Sequence, residues 1–225
     1  MKSNFLLNKY DVVKQAISKE KSDFLYKYFF NKRKVVKHLL ETEFISVDNR
    51  EWGTWEDPQM LGTYSHYSDL IFETLLEIML PKMMEVTELS LVPTYSYARM
   101  YKKGDELVRH IDRESCEVSC TIFLGGEEWP IYLDPTGEFG RQGNKVNLKA
   151  GDMLVYRGCD LEHWREPFEG QNCAQVFLHY NSVDDKSEAY HKYDTRPFLG
   201  LPEEYKNPKK IPSLTLNILD SVYEY

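Results

Sequence analysis

At 225 residues the chain is long enough to bury a substantial core, and a single domain is the expected organisation. Its formal charge of −8 argues against broad attachment to nucleic acid or anionic lipid, and no apolar run approaches the roughly 20 residues of a membrane span. Aromatic residues make up 14% of the chain, 16 of them tyrosine, a composition suited to sheets that enclose a lined cleft. The start, Met1 to Asn8, has too short an apolar stretch for a signal peptide, so the cytoplasm is the expected location. Cys116, Cys120, Cys159 and Cys173 form no CxxC pair and read as reduced thiols rather than disulfides or zinc ligands.

In chain order, Tyr10 to Lys14 reads as a short strand. Ser18 or Ser22 then caps a helix running toward Glu41, with Leu25, Tyr28, Phe29, Val36, Leu39 and Leu40 on its apolar side. The basic run Lys32-Arg33-Lys34 falls on that helix and reads as a solvated face. Trp52 to Gln59 is loop-like and either lines a substrate mouth or covers the core. A second helix spans Ser68 to Met79 or beyond, with Asp69 near its start and Pro81 kinking or ending it.

From residue 93 the pattern turns to strands. Pro93 to Tyr101 is rich in strand formers, Lys102 to Asp105 is a turn, and Cys116 to Leu124 alternates as a half-buried strand does. Lys145 to Leu148, Met153 to Tyr156 and Cys173 to Tyr180 complete the set. Short strands at this spacing indicate a mainly β fold, a jelly roll whose two sheets enclose a pocket, with the N-terminal helices packed on one sheet. After Asn181 the chain becomes polar and punctuated by proline, an extended wrap ending in the apolar stretch Leu214 to Leu219. The resulting division is helical support and a first strand in 1–88, the jelly-roll core in 89–182 and a C-terminal wrap in 183–225.

Within the core, His110-Ile111-Asp112 is followed by His163. Side chains at i and i+2 of an extended segment share a face, so His110 and Asp112 can converge on one ion there. Two imidazoles and a carboxylate on one side of a metal leave positions open for a co-substrate and O2, the ligand set that suits non-haem Fe(II). The His-x-acid tripeptide alone occurs about once by chance in a chain of this composition, so its surroundings carry the argument.

Those surroundings resemble the prolyl-hydroxylase-like 2-oxoglutarate and Fe(II)-dependent dioxygenases, in particular a bacterial and viral branch. The resemblance rests on Thr94 to Tyr101, Gly104 to Leu107, His110 to Arg113, Ser115 to Glu117, Trp129 to Ile131, Gly151-Asp152, Tyr156 to Gly158 and His163 to Glu166. It covers residues 90 to 181 densely, and residues 10 to 42 look like the family's entry into the fold. It implies a double-stranded β-helix, His110, Asp112 and His163 as iron ligands, and hydroxylation of an unactivated C–H driven by decarboxylation of 2-oxoglutarate with O2. Ascorbate is an accessory reductant compatible with such an enzyme. The leading substrate class is a prolyl or other amino-acid side chain in a protein or peptide, or a small amino acid, with the oligomeric state left open.

The sequence departs from the family pattern at the anchor for the far carboxylate of 2-oxoglutarate. The family places a Lys or Arg nine to twelve residues beyond the second histidine, where this chain has Asn172, Cys173, Ala174 and Gln175. Arg165 is the nearest cation and shares the strand face of His163, and its planar fork suits a carboxylate; the competing role is a pair with Glu162 or Glu166. Tyr101 matches a family tyrosine that donates to the same carboxylate, the alternative being a half-buried strand tyrosine; Arg99 is the reserve cation; and Gln175 and His179 share a face that either reaches the co-substrate or its surroundings or leaves His179 a satisfied core histidine. Trp129 and Tyr132 either line the mouth or pack the sheet. His38, His66 and His191 read as surface or structural. Two other functions compete: a cupin-like metal-binding or scaffold protein without catalysis, and a nucleic-acid oxidative demethylase. The acidic charge and the absence of arginines between Arg165 and Arg196 disfavour the latter.

Overall fold

The computed structural model describes residues 3–138, 140–183 and 191–206. A short helix α1 (Asn4–Asn8) leads into strand β1 (Tyr10–Val13) and the long helix α2 (Lys19–Glu41). Strand β2 (Tyr64–Tyr67) and helix α3 (Leu70–Thr87) follow. The remaining strands are β3 (Leu91–Lys102), β4 (Leu107–His110), β5 (Val118–Gly126), β6 (Ile131–Asp134), β7 (Asn144–Val146), β8 (Met153–Arg157), β9 (Glu162–Arg165) and β10 (Asn172–Ser182). They form two antiparallel sheets, a larger one in the order β1-β8-β5-β10-β3-β2 and a smaller one in the order β4-β9-β6-β7. This is the expected jelly roll.

Alternation on the four central strands, interrupted at register shifts beside Ala174 and His179, creates two separate cores. Ala98 and Met100 of β3, Cys120 and Ile122 of β5, Val155 of β8 and Val176 and Leu178 of β10 face the helices. The residues between them, among them Tyr101, Phe123, Tyr156 and Cys173, face the smaller sheet. Period-two geometry gives each strand an apolar side for each layer, and the inner side is the one that also carries the polar residues of the site.

Capping and buried polar ties fix the helices on the larger sheet. Ser18 caps α2 by accepting from the Lys21 amide at 3.2 Å, and the buried Ser22 hydroxyl donates to the Leu124 carbonyl of β5 at 2.8 Å. Leu25, Phe29 and Val36 then fall on the buried face, as their spacing requires. Asp69 caps α3 through the Ile71 amide and also binds Lys32 of α2 at 2.5 Å, with Tyr28 and His66 as further partners. Lys32 is therefore an interhelical ion-pair partner and not part of a solvated face, a pairing across 37 residues that helical periodicity does not reveal. His66 is structural, as expected. Helix α3 continues through Pro81 to Thr87, six residues past the proline. Its buried contacts at Met79, Met83 and Thr87 outweigh the one missing backbone hydrogen bond.

Strands β2 and β6 carry no clear strand pattern in the sequence, and both are four-residue pieces held by pairing to neighbours, β2 on β3 and β6 between β7 and β9. Residues 191–206 lie back across β3. Asp194, only 3% exposed, receives bonds from Arg113 at 2.7 Å, Tyr67 at 2.8 Å and Lys206 at 2.7 Å. The apolar stretch 214–219 falls outside the described residues. No helix among the described residues is long and apolar enough to cross a membrane.

Candidate metal and co-substrate site

Antiparallel pairing of β4 with β9 sets His110 directly opposite His163, with ring centroids 4.3 Å apart. A register irregularity between Leu107 and His110 puts one extra residue on β4, which brings His110 opposite His163. The strand stops at His110, so Asp112 lies just beyond it rather than on it. Its amide instead donates to the Gly158 carbonyl at 2.8 Å, which turns the carboxylate back toward both histidines. Asp112 Oδ1 sits 3.5 Å from His163 Nε2 and 3.7 Å from His110 Nε2. The three ligand atoms lie within 4.8 Å of one another, a spacing that can hold one ion.

Both imidazoles are oriented by the backbone. His110 Nδ1 donates to the Val108 carbonyl at 2.7 Å and His163 Nδ1 to the Leu161 carbonyl at 3.0 Å, which leaves each Nε2 with its lone pair facing Asp112. Burial raises the Asp112 carboxyl, but the two histidines beside it outweigh that and hold the group well below the usual carboxylate range. Ser119 Oγ donates to its other oxygen at 3.3 Å. Gly158 makes this packing possible: a Cβ there would meet the Cys116 carbonyl at 2.3 Å and Asp112 Oδ2 at 2.5 Å.

The triad opens into a cavity of about 420 Å³ lined by Tyr95, Tyr97, Arg99 and Tyr101 of β3, Tyr156 of β8, and Phe177 and His179 of β10. Its mouth lies between the 50–59 loop and residues 202–204. The Trp52 to Gln59 segment therefore takes the lining role. Trp129 and Tyr132 do not line this cavity. The Trp129 indole packs edge-on against Tyr101 at 4.8 Å, and Tyr132 stacks on Trp164 at 5.5 Å.

The remaining sequence candidates separate by their partners. Arg165 is 1% exposed, lies over the Trp129 ring at 5.1 Å and donates one Nη1 bond to the Trp129 carbonyl, while its Nε and Nη2 have no partner. The adjacent Tyr101 hydroxyl is also buried without a partner. Neither competing glutamate claims Arg165, because Glu162 pairs with Arg109 at 2.6 Å and Glu166 accepts from Trp164 Nε1 at 3.3 Å. Burial pulls the Arg165 guanidinium below its ordinary pKa, since no carboxylate among the described residues offsets it.

Arg99, by contrast, is an occupied cation: it is ion-paired with Asp57, donates to Gln59 Oε1 at 3.0 Å and to Ser65 Oγ at 3.2 Å. Gln175 is satisfied within the sheet, accepting from Thr121 Oγ1 at 3.0 Å and donating to Cys173 Sγ at 3.3 Å. His179 stacks on Tyr95 at 4.5 Å and bonds Ser119 Oγ at 2.8 Å, and burial pushes its pKa down to about 4. Asp57 and Gln59 were not singled out from the sequence. Their signal is confined to the aromatic and glycine-containing loop that carries them.

Solved structures of similar shape include a prolyl-4-hydroxylase from Pseudomonas putida, with TM-score 0.55 and 12% identity over 80% of this chain and 95% of that one. The chain has the fold of the 2-oxoglutarate oxygenases. A viral collagen prolyl hydroxylase from Paramecium bursaria Chlorella virus-1, in complex with 2-oxoglutarate, matches with TM-score 0.51 and 11% identity over 78% and 97% of the two chains. HygX from Streptomyces hygroscopicus, with nickel, 2-oxoglutarate and hygromycin B bound, matches with TM-score 0.56 and 14% identity over 80% and 85%. No protein-family model and no curated relative matches the sequence.

Proposed function

We propose that this protein is an Fe(II)- and 2-oxoglutarate-dependent oxygenase that hydroxylates an unactivated C–H of an amino-acid side chain, prolyl first, in a protein or peptide. The observation that carries the reading is the unpaired Arg165 guanidinium, buried beside an unpartnered Tyr101 hydroxyl on the inner face of the same sandwich as the triad. A buried cation with two free donors costs several kcal/mol unless an anion meets it. A dicarboxylate with one end at the triad and the other at Arg165 and Tyr101 supplies that anion. The donor set at the other end, two neutral imidazoles and one carboxylate, fits a divalent iron.

His110, Asp112 and His163 would hold the iron, and Arg165 with Tyr101 would hold the far carboxylate of 2-oxoglutarate. Iron with 2-oxoglutarate and O2 supplies the oxidising power to break a C–H bond, which no side chain provides. The chain's own part is placement. Val108 and Leu161 carbonyls keep the ligand lone pairs aimed inward, Gly158 leaves room for the Asp112 carboxylate, and Leu107, Ile131 and Tyr156 keep the co-substrate end apolar. Tyr95, Tyr97 and Phe177 present flat walls to the acceptor.

The likeness to two prolyl hydroxylases supports an amino-acid acceptor. A cavity of about 420 Å³ that also takes the co-substrate favours insertion of a single side chain or a free amino acid over a larger unit. Iron-loaded protein supplied with 2-oxoglutarate and O2 is expected to release succinate slowly alone and faster with proline-containing peptides or free amino acids, and His163→Ala is expected to lose both iron and turnover. Absence of 2-oxoglutarate binding by the metal-loaded protein would overturn the reading and favour the cupin-like scaffold.

A further inference from the structure

The 50–59 loop delivers a hydrogen-bond donor to the triad that the roles above leave unassigned. Arg99 Nη1 donates to Gln59 Oε1 at 3.0 Å, which fixes the direction of the amide: its oxygen faces the guanidinium and its NH2 faces away. That Nε2 lies 3.3 Å from His110 Nε2. Because the His110 Nδ1 hydrogen goes to Val108, Nε2 is the acceptor and Gln59 is the donor. Reversing the amide would set NH2 against a guanidinium and oxygen against a lone pair. One amide hydrogen points at this lone pair, which an ion held by the triad would take, and the other has no protein partner among the described residues, so both donors would then be free.

The arrangement is built rather than incidental. Asp57 binds the same guanidinium and also accepts from the Tyr97 hydroxyl, so the loop is tied to β3 at two consecutive inward positions. Gln59 itself is exposed, on the mouth side of the triad, where the His110 side chain is 25% exposed against 3% for His163. It therefore faces whatever enters from solvent, away from buried Arg165. An amide nitrogen does not ligate metal, and the amide oxygen is engaged by Arg99. What remains is a neutral donor beside a metal-ligand atom.

We propose that Gln59 is an orienting donor for the small oxygen ligand that reaches the metal from the mouth, water or dioxygen, and that Asp57 and Arg99 are its positioning residues. This rests on the oxygenase reading. A neutral donor polarises such a ligand without placing a second positive charge beside the cation.

Nitric oxide, a diatomic that binds Fe(II) in place of dioxygen, is the probe. Anaerobic protein loaded with Fe(II) and 2-oxoglutarate is titrated with it, following affinity and the electron paramagnetic resonance spectrum of the adduct. Gln59→Leu is expected to weaken nitric oxide binding about three- to tenfold, the scale of one neutral hydrogen bond, and to change the rhombicity of the spectrum. Iron content and 2-oxoglutarate affinity stay as in the parent. Asp57→Asn, which loosens the clamp, should shift the spectrum in the same direction by less, and Gln59→Asn should leave it between parent and Leu. A Gln59→Leu adduct with the parent's affinity and spectrum would overturn the proposal while leaving the oxygenase reading intact. A parent protein that binds 2-oxoglutarate and iron but forms no adduct would overturn both.

Discussion

Replacing Arg165 with methionine should move stability and co-substrate affinity in opposite directions. The guanidinium is 1% exposed, has two of its donors unpaired, and its pKa is pulled down by burial with no carboxylate to offset it. Without co-substrate the charge is a liability, and a side chain of similar volume removes its desolvation cost, worth about 1 to 4 kcal/mol where buried charges have been replaced by apolar residues. Against this stands the Trp129 carbonyl, which loses its one donor at about 1 kcal/mol or somewhat more. The ligand-free variant is therefore expected to be as stable as the parent or up to about 3 kcal/mol more stable. For a chain of this size that is a rise of roughly 2 to 4 °C per kcal/mol in melting temperature. The same substitution removes a charge-assisted bond to the co-substrate, about 1.5 to 3 kcal/mol, or roughly a ten- to 150-fold weaker 2-oxoglutarate. Tyr101→Phe should cost less, because it deletes one neutral donor. Thermal melts of the Ni(II)-loaded protein with and without 2-oxoglutarate, together with calorimetric titration, read both quantities. An Arg165→Met protein that melts well below the parent while binding 2-oxoglutarate equally would refute the reasoning and make Arg165 a structural residue.

Gly158→Ala should act on the triad through sterics alone. The new methyl would meet Asp112 Oδ2 at 2.5 Å and the Cys116 carbonyl at 2.3 Å, so the carboxylate or the turn must move, and metal affinity measured by Co(II) titration should fall at least tenfold; unchanged Co(II) affinity would contradict that packing. Asp194 predicts an acid-labile attachment of residues 191–206. Burial raises its pKa, but bonds from Arg113 and Lys206 bring it down to about 2, below the roughly 3.9 of an unfolded aspartate. Its contribution, about 2 kcal/mol, is then complete above pH 4 and lost as pH falls from about 4 through 2. Asp194→Asn should flatten that part of the stability curve measured by denaturant titration, and an unaltered acid limb would show that the group does not govern it.

The two layers of core were legible because they depend on local period. Ala98 and Met100 against Tyr97, Arg99 and Tyr101, or Val176 and Leu178 against Phe177 and His179, separate into two faces by alternation alone, and a reader of the sequence can assign them before any fold is known. Ser18 and Asp69 announced their helices in the same way, because a cap is satisfied within two or three residues. The pair His110 and Asp112 was likewise within reach, as was the relation of Arg165 to His163 two residues before it.

Which groups are left without partners was a matter for the tertiary structure. Arg165 and Arg99 are equally cationic in sequence; Asp57, 42 positions before Arg99, neutralises one, and no described carboxylate neutralises the other. Lys32 with Asp69 and Arg113 with Asp194 are pairings of the same long-range kind, as is the contact of Gln59 with His110. Strands β2 and β6 exist because neighbours supply their hydrogen bonds, and α3 passes Pro81 because packing on both sides of it outweighs one lost bond. Local propensity is a property of a few consecutive side chains, whereas the cost of a buried charge depends on what the rest of the chain brings beside it, and that is set only when the sheets close.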